Sequence, residues 1–282
     1  HSPWNAVGSM WFPIYPFIIA LGFLLPLDLS FSTWFFYLFR KMQQVAVRAM
    51  ALDTMPKLPY LNEQSYGAWF VIFAMSLYMA RGHLAEVWKK ATGRLSRLED
   101  HDEPFSYRAA FVLMGLCSTF LFLFCLRAGM SPVVIFWFFA IFFVIATALT
   151  RVRAELGPPA LEVTGLNSAN LMVDAVGTKA LGANNLAMVP LFFWFSGRGH
   201  RTQIMPHQME ALKMAEAAHL SPRRFGAAMV IALAVGGLAC FWAALHQHFQ
   251  EGINWMTAHN WGQFNQTASW IQTPVEPDRT AI

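Results

Sequence analysis

The sequence is poor in charge. Only 13% of its 282 residues are Asp, Glu, Lys or Arg, against roughly 25% in an ordinary soluble domain, which excludes a water-facing globular surface. Cysteine is scarce too. Cys117, Cys125 and Cys240 all lie inside apolar runs, and neither C-x-x-C nor C-x-x-C-H occurs, so a disulfide scaffold, a thiol redox pair and a c-type haem attachment are not expected. H-E-x-x-H and G-x-S-x-G are missing and the nine histidines are scattered, so no catalytic residue, metal site or cofactor is assigned and an enzyme is not expected. The net charge of +4 is dispersed over connecting segments. That dispersal speaks for topology and against nucleic acid as a partner. There is no initiator methionine or signal-peptide pattern, and the last residues read TPVEPDRTAI, from which the chain is expected to be a portion of a longer polypeptide.

What is present is apolar. Hydrophobic residues make up 56%, with 26 Phe and 11 Trp, and the mean hydropathy is +0.40. These values predict an all-α polytopic membrane helix bundle, forming a single transmembrane domain, or part of one, over residues 1–282. Trp4 and Trp11 are the expected interfacial anchors. The expected spans are 14–40, 66–88, 107–127, 132–151 and 225–249, with a surface helix at 206–219. Ala109–Leu126 is an uninterrupted run of spanning length. The short RAGMSP link after it makes 107–127 and 132–151 an antiparallel hairpin. Pro56 and Pro59 are expected to end the helix that follows Arg40. Gly157, Pro158 and Pro159 are expected to stop the one that passes Arg151.

Two of these elements are interrupted. In Ile14–Arg40, Pro26 removes a helical hydrogen bond and clashes with the preceding turn, so the pieces Ile14–Leu25 and Leu27–Arg40 are expected to meet at a break. Asp28 follows it, and then Ser30, Ser32 and Thr33, a carboxylate and three hydroxyls of the kind that hold a cation or a polar solute. An intramembrane carboxylate is a functional-site candidate. The competing reading is a kinked helix whose Asp28 pairs with an arginine. The second interruption lies at 168–195, where two apolar runs of about 10 residues, each near 15 Å long, flank a polar turn containing Gly177 and Gly182. Such a pair reads as a re-entrant hairpin and would carry Asp174, Asn184 and Asn185 to membrane depth, where they could face Asp28. A single irregular crossing is the alternative. If the hairpin re-enters, the face receiving Arg81, Arg108, Arg151, Arg153 and Arg223 gathers the Lys and Arg excess and is expected to be cytoplasmic.

Three stretches carry a resemblance: LGFLLPLDLSFSTWFFYLFRKMQ at 21–43, RVRAELGPP at 151–159 and FWFSGRGHRTQIMPHQMEALKMAE at 193–216. They resemble a family of uncharacterised bacterial multi-pass membrane proteins distantly similar to the oligopeptide transporters. The resemblance implies many helices with broken elements, a bacterial inner-membrane location, and an ion- or proton-coupled secondary transporter for a small polar solute of the peptide or metal-chelate class. The solute- or ion-binding residues are then expected to be Asp28, Ser32, Thr33, Asp174, Asn184 and Asn185. The expected partners are the lipid bilayer, the rest of the same polypeptide or other membrane subunits, and the solute. The alternative function is a structural or accessory subunit of a larger membrane complex.

Overall fold

The computed structural model describes residues 2–10, 14–52, 57–100, 103–157, 166–196, 203–252 and 255–278. Trp11, Pro56, Pro158 and Pro159 fall outside them. Among the described residues the chain is all-α, with no strand. The helices are α1 (Pro16–Gly22), α2 (Leu27–Ala49), α3 (Leu61–Ala91), α4 (Tyr107–Arg127), α5 (Pro132–Leu156), α6 (Ser168–Val176), α7 (Thr178–Leu181), α8 (Ala183–Ser196), α9 (Ile204–Ala217), α10 (Pro222–Glu251) and α11 (Trp255–Gln272). α3, α4, α5 and α10 are long and apolar enough to cross a membrane, and they mark this as a membrane protein.

The α4–α5 hairpin shows how closely its local chemistry dictates its geometry. Ser106 Oγ accepts a hydrogen bond from the Ala109 amide and caps α4, satisfying one of the amides that a helix start leaves unpaired. At the other end Gly129 adopts φ +98°. Its amide bonds to Leu126 O and the Met130 amide to Cys125 O, which is the Schellman closure that left-handed glycine permits. Met130 and Cys125 are both buried there. Pro132 then supplies the fixed φ of the first turn of α5.

α5 is the spine. Ile135, Phe138, Ile145 and Leu149 are almost wholly buried, and α3, α6, α8 and α9 surround them. α8 runs alongside α5 in the same direction. Asn185 lies at Ser131, Phe192 packs on Phe138 and Phe139 with ring centroids 5.6 and 5.8 Å away, and Phe195 meets Phe142 at 5.2 Å. Lipid tails are as apolar as phenylalanine, so this seam is held by close packing rather than by exclusion of water.

Some expectations are met and others change. The first element does break: α1 ends at Gly22, and Pro26 stands just before α2 with ψ +141°. The pieces are unequal, however, since α1 has 7 residues and α2 has 23. The second interrupted element resolves into α6, a single turn α7 and the longer α8, parted by Gly177 and Gly182 at φ +80° and +79°. It is not a symmetric pair of half-helices. α6 already begins near the start of α3, because the Tyr66 hydroxyl bonds both the amide and the carbonyl of Asn167, and only α8 travels back along α5. The expected surface helix is α9, tied to α5 by a two-pronged ion pair between Arg153 and Glu210. The tail beyond 251 forms α11, which packs against α8 and lays Trp270 on the core.

Candidate functional site

Where α2 ends and α3 begins, the chain encloses a polar cavity of about 570 Å³. Its wall includes Arg40 and Gln44 from α2, Lys57 from the segment before α3, Glu63 and Tyr66 from α3, and Asn170 and Asp174 from α6. Helix periodicity explains the grouping. Arg40 and Gln44 are four apart on α2, and Asn170 and Asp174 are four apart on α6, so each pair stacks on one face.

Lys57 ties one side of the wall together. Its ammonium lies 2.7 Å from Asp174 Oδ1 and 3.3 Å from Asp278 Oδ2. Partial burial works against the ammonium's charge, but the hydrogen bonds and attraction of Asp174 and then Asp278 outweigh it, and the Lys57 pKa stands above its ordinary 10.5. Asp278 arrives on an extended tail laced to the α6–α7 turn. The Thr178 amide bonds to Val275 O at 3.0 Å, the Val275 amide to Thr178 Oγ1 at 2.8 Å, and the Asp278 amide to Asp174 O at 2.9 Å. The tail passes so close to Gly177 that an added Cβ would lie 2.8 Å from Pro277 Cδ. Glycine is therefore required there twice, for its φ and for its lack of a side chain.

Other polar groups of the wall have no partner among the described residues. Gln44 Oε1 and Asn170 Oδ1 are buried and have no hydrogen-bond partner. Arg40 and Glu63 form no hydrogen bond or ion pair among the described residues. A buried carbonyl oxygen without a donor forfeits roughly 1–3 kcal/mol. Two of them line one cavity with Arg40, which is exposed, and Glu63, which is half-buried, charges of opposite sign that are unpaired among the described residues.

Against this geometry the residues singled out by sequence separate. Asp174 is in the wall. Asp28 occupies the exposed first turn of α2, sixteen residues or about 24 Å along the helix from Gln44 at 1.5 Å per residue, and nothing in the structure joins it to Asp174. Ser32 and Thr33 turn their hydroxyls back to the carbonyls of Asp28 and Leu29, at 2.7 and 2.8 Å. Asn185 is structural in its contacts: its side-chain oxygen accepts from the Ser131 amide at 2.7 Å and its NH₂ donates to Leu181 O at 2.6 Å. Asn184 is exposed. Sequence reasoning passed over Arg40, Gln44, Lys57, Glu63 and Asn170. A lysine between two prolines and two asparagines in NSAN were the available signals, and neither names its partner.

A second, apolar cavity of about 700 Å³ lies between α3, α5 and α6. It shares Glu63 and Tyr66 with the first.

Comparison with known proteins gives a family and no activity. Residues 1–282 match the family described as Family of unknown function (DUF6785), and the chain belongs to it. No curated protein and no solved structure matches the chain.

Proposed function

We propose that this member of a family without an assigned role is part of a membrane transporter for a small polar solute, coupled to an ion or a proton, and that the polar cavity is where the solute binds. One observation carries the reading. Arg40 and Glu63, of opposite sign and with no hydrogen bond or ion pair among the described residues, share a cavity with two buried amide oxygens that lack donors there. A zwitterion such as a short peptide supplies the matching groups: its carboxylate for Arg40, its ammonium for Glu63 and for the oxygens of Gln44 and Asn170. The interrupted helices support the same reading, because such elements in membrane proteins collect at solute sites. The remote resemblance to oligopeptide transporters points the same way. Asp28 lies too far along α2 to touch a solute here, and a role in ion coupling for Asp28, Ser32 and Thr33 would be exercised at a separate place.

Uptake of a labelled dipeptide into proteoliposomes tests this. Arg40→Gln and Glu63→Gln should each weaken uptake by about tenfold or more, the scale of one lost charge-assisted hydrogen bond. Unchanged uptake in both variants would remove the cavity from the function.

The second reading, an accessory subunit, draws on α10. Its spanning stretch has no residue buried within the fold, and Ala232, Gly236 and Cys240 leave open the small-residue face on which helices approach closely. Cysteine cross-linking at Gly236 in native membranes separates the two readings, since an accessory role requires a protein adduct and no uptake.

A further inference from the structure

The polar cavity and the apolar one adjoin at Glu63 and Tyr66, which belong to both walls. From that rim the apolar one follows α5 from Ser131 to Val144, about 20 Å of helix and the reach of an extended long-chain acyl group. Its lining is Gly67 and Phe70 of α3, Trp137 and Ala140 of α5, and Met172 and Ala175 of α6. Of these helices α3 and α5 are long and apolar enough to cross a membrane, and the apolar cavity lies along them while the polar one lies where α3 begins.

We propose that the two cavities join at Glu63 and Tyr66 and bind a membrane glycerophospholipid with a zwitterionic headgroup bearing a primary ammonium, its phosphate at Arg40, its ammonium at Glu63, Gln44 and Asn170, and one acyl chain in the groove between α3, α5 and α6. This rests on the cavity being the ligand site and adds an amphiphile that would share Arg40 and Glu63 with, and compete against, the small polar solute. The ammonium matters because it offers three N–H donors to three acceptors that otherwise have none. A trimethylated choline headgroup has no N–H to give, and a glycerol headgroup has no positive charge for Glu63.

The test uses the full chain in phosphatidylcholine nanodiscs containing a minority of phosphatidylethanolamine, with native mass spectrometry of the released protein. Retained phosphatidylethanolamine should exceed its share in the disc by about tenfold, the preference that one charge-assisted hydrogen bond supplies. Ala140→Trp, which fills the groove, should abolish retention. Glu63→Gln alters no packing and should bring the two lipids to parity, and it decides the matter alone if the tryptophan variant does not fold. Retention without headgroup preference, or retention untouched by both variants, overturns the proposal and marks the lipid as annular. Dipeptide binding is measured on the same samples. Dipeptide bound without lipid preference refutes the amphiphile and keeps the zwitterion site, whereas neither ligand bound refutes both.

Discussion

Replacing Gly177 by alanine should unlatch the tail that closes the polar cavity, and the structure contains its own control. Gly177 and Gly182 have nearly the same backbone angles, φ +80° and ψ 158° against φ +79° and ψ 154°. Residues other than glycine are held in that region only at about 1–3 kcal/mol, so both alanine variants carry this strain. Only at Gly177 does the new Cβ meet other atoms, 2.8 Å from Pro277 Cδ and 3.0 Å from Pro277 N and Val275 O, whereas Gly182 has open space. Val275 O and Pro277 N are backbone atoms, so the tail itself must move. Moving it breaks the three hydrogen bonds that join Thr178 and Asp174 to Val275 and Asp278. At about 0.5–1.5 kcal/mol each, the extra loss is roughly 2–4 kcal/mol. Hydrogen exchange followed by mass spectrometry reads this directly, with the Val275 and Asp278 amides exchanging about 30-fold to several-hundred-fold faster in Gly177→Ala than in Gly182→Ala, the range those energies imply. Equal exchange in the two variants would refute the clamp.

Two further outcomes follow from contacts already described. Tyr66→Phe strips the hydroxyl that both accepts from and donates to the backbone of Asn167 at 2.9 and 3.0 Å. Because Tyr66 and Asn167 are both buried and the Asn167 carbonyl keeps the Leu171 amide, one orphaned backbone N–H should lower stability by about 1–3 kcal/mol, read as a fall in unfolding temperature in detergent, while Tyr78→Phe on the exposed face should change little. The hydrogen bonds of Arg153 hold the Glu210 carboxyl below its ordinary 4.5, so the pair contributes fully above that unfolded value and loses its contribution as pH falls through the lower folded one. Glu210 is 43% exposed, which limits the contribution to a few tenths of a kcal/mol. Cross-linking between α9 and α5 should therefore weaken only below about pH 4.5, and Glu210→Gln should show the weakened level at neutral pH with no pH dependence there.

Local chemistry was legible and distant pairing was not. Pro26, Ser106, Gly129 and Pro132 each act on the few residues around them, so the break before α2 and the α4–α5 hairpin could be read from the sequence. Gly177 and Gly182 announced an interruption for the same reason. The asymmetry of what they interrupt could not be read, because it depends on Tyr66 holding Asn167, a contact across 101 positions. The cavity is harder still. Lys57 meets Asp174 across 117 positions, and an ion pair that far apart leaves no period in the sequence. Asp28 drew notice because a carboxylate in an apolar run is conspicuous. The wall of the cavity is made instead of groups at helix ends, where a charge looks ordinary.

The union of Lys57, Asp174 and Asp278 also has a consequence in time. A chain inserted as it is synthesised presents its N-terminal parts first, so Lys57 and Asp174 are in place well before Asp278 emerges from the ribosome. Through that interval α6 and α7 have their near end uncovered, with Asp174 O and Thr178 N–H still waiting for Asp278 and Val275. The cavity thus gains its last wall only when residue 278 has been translated, and the lacing of the tail is a molecular record that translation has reached that point. A nascent chain arrested before residue 273 should hold α3, α4 and α5 and yet lack the closed site.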